Sequence, residues 1–232
     1  MIELKDEALK YDLNLSKEEL DKFETYYNFL LEYNNHTNLT RIVEHDEVMI
    51  KHFLDSIIIN KYISFDGKDV LDIGAGPGFP SMPLAIINSN THFDVVDSNN
   101  KKTKFLSELK EKLSLSNTSV FLTRAEDLEK TNFEHYDIVT ARAVARLNIL
   151  VELTIPFVKK GGYFIALKAA DYLAELDEAK KGIETLGGTV EDVIKVSLPY
   201  DMGDRVFILI KKIKNTPTKY PRMYSQIKNK PL

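Results

Sequence analysis

The fold is decided by Lys68-Asp69-Val70-Leu71-Asp72-Ile73-Gly74-Ala75-Gly76-Pro77-Gly78-Phe79-Pro80, a short apolar strand that runs into three alternating glycines. A helix is expected to begin near Pro80. Glycine has no Cβ atom and tolerates positive φ, so a molecule of nucleoside size can lie against such a loop. The segment therefore predicts a ligand-binding turn between the first strand and the first helix of an α/β sheet.

The spacing of these glycines favours S-adenosylmethionine over a nucleotide. Counted from Gly74, Phe79 occupies the position of the third glycine in a dinucleotide GxGxxG motif, and the phosphate loop GxxxxGK[ST] is also absent from this segment. Asp97 closes the next predicted strand, at about the distance from Gly74 at which an acidic side chain reaches ribose hydroxyls. The sulfonium cation of the methyl donor suits carboxylates, whereas a phosphate does not. We expect Gly74, Gly76 and Asp97 to contact this donor.

A second interpretation of the glycines stays open. Three glycines also make a tight strand-to-helix connection in an ordinary α/β protein that binds no nucleoside there. The two aspartates at the strand ends, Asp72 and Asp97, favour adenosyl binding, because a simple turn does not need them.

The composition limits the kind of protein. A chain of 232 residues with 44% hydrophobic residues is long enough to bury a substantial core. It contains no cysteine, which excludes disulfides and thiolate metal sites, and its five histidines show no HxxxH or HExxH spacing. The N-terminal residues lack the features of a signal peptide, and no apolar run reaches membrane-spanning length. We expect a cytoplasmic protein that binds neither a metal nor a membrane.

The chain before the glycine loop is predicted to be helical. Short helices are expected over residues 2–11, with Leu9 facing inward, and over residues 46–60. Between them, Ser16 and Glu19 form a capping box that starts a long helix. A 3.6-residue period predicts the buried face of this helix: Leu20, Phe23, Tyr27, Leu30 and Leu31. Residues 1–66 are therefore predicted to be a helical extension that lies against the main domain.

After the glycine loop, strands and helices alternate as in a doubly wound sheet. A helix over residues 148–159 is expected to end at Gly161-Gly162. The short loop between the last two strands predicts a hairpin, and hence an antiparallel last strand. The predicted fold class is α/β: the Rossmann-like fold of S-adenosylmethionine-dependent methyltransferases, with a mostly parallel sheet over residues 67–213. Residues 214–232 are predicted to be a basic tail, and the whole chain one structural domain.

Ligands of open parallel sheets bind beyond the carboxyl ends of the strands. Ala125 and Glu126 follow the predicted third strand, where an adenine edge is expected. Arg142 follows the fourth, where it reaches the methionine carboxylate or a substrate oxygen. Arg124 and Arg146 follow strands at the same edge, although most basic residues of the chain are lysine. Three arginines at one rim favour an RNA phosphate or a guanine as partner, and a single one is more typical of a surface ion pair.

The end of the chain is basic, although the net charge of the protein is −4. From residue 211 onward there is no acidic side chain, and the basic ones are Lys211, Lys212, Lys214, Lys219, Arg222, Lys228 and Lys230. Such a segment suits a local contact with a polyanion, and it equally suits a solvated tail that keeps the protein in solution.

Together these motifs resemble the RsmG (GidB) family, bacterial methyltransferases of guanine N7 in small-subunit ribosomal RNA. The resemblance covers most of the chain. It is carried by these segments: Asn38-Leu39-Thr40, Lys51-His52-Phe53-Leu54-Asp55-Ser56, the loop at 72–80, Val96-Asp97-Ser98, Arg124-Ala125-Glu126, Thr140-Ala141-Arg142-Ala143-Val144 and Lys219-Tyr220-Pro221-Arg222. Their combination is far more specific than the glycine loop, which all methyltransferases of this fold share.

The resemblance implies S-adenosyl-L-methionine as cofactor and 16S ribosomal RNA, in the small subunit, as partner; we expect a monomer. The donor contacts that it implies are Gly74, Phe79, Ala125, Glu126 and Arg142, with Asp97 on the ribose by the general fold argument. Two residues stand where the family usually has glycine. Ser81, one turn into a helix, is expected to be harmless, whereas Ala169 leaves the local geometry open.

Methylation of guanine N7 requires no general base, because N7 already carries an in-plane lone pair. No catalytic residue is therefore expected beyond those that position the reactants. A small-molecule methyltransferase is one alternative, and an NAD oxidoreductase, which Phe79 opposes, is another. An adenosyl-binding RNA chaperone without catalysis is an alternative of a different class. If the basic tail binds RNA, deleting residues 217–232 is expected to weaken ribosome binding and to spare the donor site.

Overall fold

The computed structural model describes residues 1–169 and 171–232. Its strands are β1 (Asp69–Ile73), β2 (His92–Asp97), β3 (Thr118–Leu122), β4 (Tyr136–Arg142), β5 (Val158–Ala169), β6 (Gly188–Ser197) and β7 (Asp204–Lys212). They form a seven-stranded sheet in the order β3-β2-β1-β4-β5-β7-β6. Strands β1 to β5 are parallel, and β7 is antiparallel to both of its neighbours. The predicted mostly parallel sheet with an antiparallel last strand is confirmed.

Helices cover both faces of the sheet. One face carries Leu4–Leu9, Lys17–Thr37, residues 45–61, Ser81–Ile87 and Asn100–Lys112. The other face carries Leu147–Thr154, Leu173–Thr185 and Tyr224–Asn229. Because strand side chains alternate, β1 serves both layers: Val70 packs in the first cluster and Leu71 in the second. The N-terminal helices therefore share one hydrophobic core with the sheet.

The helix Lys17–Thr37 starts at the predicted capping box. The Ser16 amide donates to Glu19 Oε2 at 2.7 Å, and the Glu19 amide donates to Ser16 Oγ at 3.2 Å. After the last turn, Asn38 takes a left-handed conformation with φ of 50°. The preceding helix, Leu4–Leu9, differs from the prediction at Leu9, which is 57% exposed instead of facing inward.

The predicted buried face of Lys17–Thr37 is wrong in part. The buried side chains are Phe23, Tyr26, Phe29 and Leu30, so Tyr26 takes the place expected for Tyr27. A tertiary contact is the reason. The Tyr26 ring stacks on Phe79 with 5.5 Å between ring centroids, and its hydroxyl donates to the Pro77 carbonyl oxygen. The helix is therefore turned toward the glycine loop, which its own periodicity does not reveal.

Residues 45–61 form one helical segment, close to the predicted 46–60. The segment is irregular, because Met49–Leu54 is a π-helix between the α-helical turns His45–Val48 and Asp55–Ile57, and a 3-10 turn, Ile58–Lys61, follows. His52 and Asp55 are both buried here, at 6% and 1% exposure. This helix therefore directs polar side chains into the protein, toward the sheet edge that carries the glycine loop.

The strand β5 begins earlier than predicted. The helix expected to reach residue 159 ends at Thr154, a 3-10 turn Ile155–Phe157 follows, and β5 starts at Val158. Gly161 and Gly162 lie within the strand, where its register against β4 shifts. A Cβ atom on Gly162 would lie only 2.4 Å from the Asp137 carbonyl oxygen. Gly162 therefore allows a close approach of two strands, Gly161 takes a positive φ of 89° within the strand, and neither glycine caps a helix.

The segment after β7 packs along the second face of the sheet. Tyr220 and Ile227 are buried at 6% and 0% exposure. Arg222 binds the fully buried Glu152 through two parallel contacts, Nε to Oε1 at 2.9 Å and Nη2 to Oε2 at 2.6 Å. The Arg222 amide also donates to Glu152 Oε1 at 2.8 Å. One carboxylate on the helix Leu147–Thr154 therefore fixes the course of the C-terminal segment.

Replacing Glu152 by alanine is expected to lower the free energy of unfolding by about 2–3 kcal/mol, because a buried charged hydrogen-bond partner is removed from Arg222. Denaturation in urea measures this change. Glu178→Ala is the matched control, since Glu178 makes an exposed ion pair with Arg146 at 2.7 Å. That variant should lose less than about 1 kcal/mol. Equal losses in the two variants would contradict an anchoring role for Glu152.

Candidate functional site

The glycine loop presents its backbone at the carboxyl end of β1. Gly74, Gly76 and Gly78 all have positive φ, at 71°, 61° and 104°. A Cβ atom on Gly78 would lie 2.6 Å from the Tyr26 hydroxyl oxygen, so this glycine lets the long N-terminal helix close on the loop. A Cβ atom on Gly76 would meet no atom within 4 Å. The loop is therefore covered at Gly78. Gly76 is buried as well, and Gly74 is the partly exposed glycine at which a ligand can lie against the backbone.

Asp97 at the end of β2 holds the loop. Its Oδ2 accepts a hydrogen bond from the Gly76 backbone N–H at 2.9 Å, and its Oδ1 accepts one from the Asn99 backbone N–H at 2.8 Å. The Lys102 ammonium lies 3.8 Å from Oδ2. A carboxylate has about four acceptor positions, so two more donors can still be bound. Asp97 therefore orients the loop and keeps capacity for the hydroxyl groups of a ribose.

A cavity of about 200 Å³ lies beside this loop at the carboxyl edge of the sheet. Four residues predicted for the site line it: Gly74, Asp97, Ala125 and Glu126. Val144, Leu153 and Tyr224 are among the lining residues that the sequence analysis did not assign to the site. Val144 ends one of the segments that carry the family resemblance. No local motif marks Leu153 or Tyr224, because they come from a helix of the second face and from the C-terminal segment. The cavity is assembled from elements far apart in the chain.

The lining of the cavity fits an adenosine compound with a positive charge. Ile73, Val96 and Leu153 supply apolar surface for an aromatic base, and Asp97 and Glu126 supply carboxylates for hydroxyls and for a cation. Glycine is required at position 74, because a Cβ atom there would lie 2.5 Å from Val144 Cγ2. S-adenosylmethionine combines these chemical features, so the residues present fit this donor.

Three of the predicted donor contacts, Gly76, Phe79 and Arg142, do not line the cavity, and the side chains of Phe79 and Arg142 lie behind the loop. The Phe79 ring is buried between Tyr26 and His52, whose ring centroid lies 4.3 Å away. The Arg142 guanidinium carbon lies 5.7 Å from the Phe79 ring centroid. In this arrangement both side chains support the loop from behind.

Arg142 is held by the N-terminal helices. Its Nη2 donates to the Lys51 carbonyl oxygen at 2.9 Å and lies 3.3 Å from Asp55 Oδ2. The same Asp55 oxygen accepts a hydrogen bond from Arg205 Nε on β7 at 2.9 Å. Asp55 is fully enclosed, so one buried carboxylate joins two arginines from different strands to the helical segment 45–61.

The three arginines expected at the rim are not equivalent. Arg124 lines the cavity and is 60% exposed, with Nη1 4.0 Å from Glu126 Oε1. Arg146 pairs with Glu178 at the surface, and Arg142 is engaged in the buried pair with Asp55. Of the three, Arg124 is therefore the one placed to meet a bound anion or base, which corrects the interpretation of a triple basic rim.

Asp72 does not line the cavity, contrary to the idea that it adds a carboxylate to the ligand site. It is fully buried beneath the loop, where its Oδ1 accepts a hydrogen bond from Thr140 Oγ1 at 2.9 Å. Burial raises the pKa of Asp72 to about 6. Ser81 is fully buried as well, at the first turn of the helix Ser81–Ile87. Both residues belong to the support of the loop.

His52 is a neutral side chain in this support. Its ring stacks on Phe79, and Nε2 lies 2.9 Å from Thr40 Oγ1. Burial, together with the nearby positive charge of Arg142, lowers the pKa of His52 to about 3. His52 therefore serves no acid–base role at neutral pH, and it connects the Asn38-Leu39-Thr40 segment to the glycine loop.

This pKa has a consequence for stability. Below about pH 6.5 the unfolded chain binds a proton at His52, whereas His52 in the folded protein stays neutral. The free energy of unfolding should therefore fall by up to about 1.4 kcal/mol for each pH unit of acidification. Between pH 7 and pH 5, His52→Gln should lose about 2 kcal/mol less than the unaltered protein in denaturant titrations. The opposite contribution of Asp72, between about pH 4 and 6, is common to both proteins. The exposed His36→Gln is the control, and an equal gain in both variants would contradict the assignment.

The identity of the chain follows from its relatives. The model of the GidB family, rRNA small subunit methyltransferase G, matches residues 19–201, which include the glycine loop, Asp97 and Arg142. This chain belongs to that family. The matched region ends before β7, so β7 and the C-terminal segment with Tyr224 lie outside it.

Bacterial members of the methyltransferase G family resemble the chain over nearly its whole length. The ribosomal RNA small subunit methyltransferase G of Bacillus subtilis (strain 168) is 49% identical over 213 residues, which cover 90% of this chain and 89% of that protein. The protein of the same name from Lactobacillus acidophilus is 44% identical over 233 residues, covering 97% of this chain and 96% of that one.

Solved structures share the fold at low sequence identity. M. jannaschii TYW2, crystallised in complex with AdoMet, matches with a TM-score of 0.56 and 22% identity over 68% of this chain and 77% of that one. Precorrin-6y C5,15-methyltransferase from Geobacter metallireducens GS-15 matches with a TM-score of 0.52 and 19% identity, over 68% and 86%. These similarities confirm the methyltransferase fold of this chain.

Two further observations concern residues 1–169 and 171–232. None of the helices in this part of the chain has the length and apolar character needed to cross a membrane. Within the same ranges, no three histidine, cysteine, aspartate or glutamate side chains are grouped as metal ligands would be. Independence of metal stays a prediction for this methyltransferase G family member.

Proposed function

We propose that the protein transfers a methyl group from S-adenosylmethionine to N7 of a guanine in 16S ribosomal RNA of the small subunit. One observation carries the proposal: in a chain of the rRNA small subunit methyltransferase G family, Gly74 of the glycine loop and the Asp97 carboxylate border one cavity at the sheet edge. That edge is where ligands bind in open parallel sheets. Guanine as the base and N7 as the atom rest on the resemblance of the motifs.

The chain's own residues bind and orient the donor. Gly74 gives access to the backbone, Asp97 accepts hydrogen bonds from the ribose hydroxyls, and Ala125 with Glu126 borders the adenine. Phe79 and Arg142 support the loop from behind. The donor supplies a sulfonium-bound methyl group to an incoming nucleophile.

No side chain has to remove a proton from guanine N7, because its lone pair is free in the neutral base. We therefore assign no general base and no nucleophile to the protein. Rate enhancement comes from holding the base in line with the methyl group in a site that excludes water. The neutral, buried His52 and the buried Asp72 are consistent with this, since neither lines the cavity.

The substrate is expected to be an unpaired guanine. The N7 edge of a base in an A-form helix is hard to reach, so the base has to be splayed out of a loop or an end. Arg124, exposed at the cavity rim, is the residue best placed to bind a phosphate or base next to the target. We further expect a monomer that works in the cytoplasm, where ribosomes are found, and that needs no metal. Sedimentation equilibrium and activity in the presence of a chelator test these points.

Methyl transfer to isolated subunits tests the proposal. Small subunits from cells that lack this protein are incubated with it and with tritium-labelled donor, and the RNA is hydrolysed to bases. We expect label in 16S RNA as 7-methylguanine, and far less in subunits from cells that contain the protein, which are already modified. Tight RNA binding without transfer would favour a chaperone. Transfer only to low-molecular-weight acceptors would favour a small-molecule methyltransferase.

A further inference from the structure

The C-terminal segment returns to the edge of the sheet and contributes Tyr224 to the cavity. Tyr224 begins the helix Tyr224–Asn229 and lines the same space as Ala125, Glu126 and Leu153. It is half-buried and packs against the hydrophobic cluster of the second face. The segment that the sequence marks only by its positive charge therefore supplies an aromatic side chain to the cavity.

The position of Tyr224 is set by contacts on both sides of it. Two residues earlier, Arg222 is tied to the buried Glu152 by two parallel contacts. Three residues later, Ile227 is fully buried. The helix Leu147–Thr154 fixes the C-terminal segment and also lines the cavity, because Glu152 binds Arg222 and the neighbouring Leu153 is a lining residue. Tyr224 is therefore held in place by the protein itself.

The residues beside Tyr224 in the cavity indicate which part of the donor contacts this side chain. Ala125 and Glu126 follow β3, beyond Asp97 at the end of β2, so they border the part of the cavity past the ribose position. An aromatic ring beside them offers a face on which a purine can stack. We propose that Tyr224 packs against the adenine of S-adenosylmethionine and makes the C-terminal segment part of the donor site. This inference rests on the proposed function, because that function defines the donor.

A role for Tyr224 in donor binding changes the result expected for deletion of residues 217–232, which the sequence analysis expects to spare the donor site. Because Tyr224, Arg222 and Ile227 lie in the deleted segment, the deletion should weaken donor binding in addition to any loss of ribosome binding. Point variants are the cleaner test, since the deletion also exposes the core around Ile227.

Calorimetric titration of S-adenosylmethionine into the full-length protein tests the role of Tyr224. Tyr224→Ala is expected to raise the Kd about tenfold, which corresponds to about 1.4 kcal/mol. Tyr224→Phe keeps the ring and should bind within about twofold of the unaltered protein. Tyr224→Leu keeps apolar bulk for folding but has no ring, so it should also bind more weakly. Met223→Ala is the matched control, because Met223 is 72% exposed and lies outside the cavity lining.

Competition with 5′-deoxy-5′-methylthioadenosine identifies the part of the donor concerned. This probe lacks the amino-acid group, so Tyr224→Ala should weaken its binding by the same factor as that of the full donor. Unchanged donor affinity in both Tyr224→Ala and Tyr224→Leu would overturn the inference, and so would a loss confined to the full donor. If the unaltered protein binds no donor at all, the proposed function itself fails. Normal binding by the unaltered protein together with insensitive Tyr224 variants rejects this inference alone.

Discussion

Asp97→Ala should weaken the binding of S-adenosylmethionine about 100-fold or more. The carboxylate accepts hydrogen bonds from the Gly76 and Asn99 amides, so its removal frees the loop as well as the acceptor for the ribose. Each hydrogen bond to a charged group is worth about 1.5–3 kcal/mol, and the loss of two corresponds to at least about two powers of ten in Kd. Titration calorimetry with the donor measures this effect.

Asp127→Ala is the matched control for Asp97→Ala. Asp127 lies at the same edge of the sheet, but it is exposed and does not line the donor cavity. The control should bind the donor like the unaltered protein. If Asp97→Ala also kept its affinity, Asp97 would have to be removed from the site and the glycine loop would need another explanation.

Asp55→Ala should have the largest effect on stability, about 3–5 kcal/mol of unfolding free energy. Its buried carboxylate pairs with Arg142 at 3.3 Å and with Arg205 at 2.9 Å, so both guanidinium groups lose their partner. Removing one side of a buried ion pair is costly because the remaining charge is left without compensation. Denaturation in urea, followed by circular dichroism, gives the change.

Asp177→Ala provides the comparison for Asp55. Asp177 pairs with Lys180 at 2.8 Å but is 78% exposed, and such surface pairs contribute less than about 1 kcal/mol. A small loss for both variants would show that Asp55 does not hold the N-terminal helices to the sheet. A large loss for Asp55 alone, with weaker donor binding in the folded fraction, would support the link from Asp55 through Arg142 to the loop.

Local patterns in the sequence were sufficient for the framework of the fold. The strand before Gly74, the capping box at Ser16 and the hairpin before β7 each depend on neighbouring residues, and each is present in the structure. Because parallel strands end at the same edge of a sheet, the sequence predicts that Asp97, Ala125 and Glu126 lie near one another, and all three line one cavity in the structure.

Features set by tertiary contacts could not be predicted in this way. Tyr26 and Tyr27 fit a helical period almost equally well, and only the position of Phe79 makes Tyr26 the buried one. A pair of glycines ends a helix or lets two strands approach, and the nearby Asp137 carbonyl decides the case for Gly162.

The largest omission concerns the C-terminal segment. Its lysines suggested a solvated or RNA-binding tail, whereas its course depends on Glu152, which lies on a helix of the second face. No short motif connects Glu152 with Arg222 in the sequence. The sequence therefore does not mark Tyr224 as a cavity residue, and it places Arg142 at the ligand site although Asp55 holds this side chain behind the loop.

A crystal structure of the protein with S-adenosylmethionine tests the donor site most directly. We expect electron density for the donor in the cavity beside Gly74 and Gly76, with its ribose hydroxyls on Asp97 and its adenine between Ala125 and Tyr224. Donor density elsewhere on the protein, or a cavity that stays filled by protein side chains at saturating donor, would contradict the assignment.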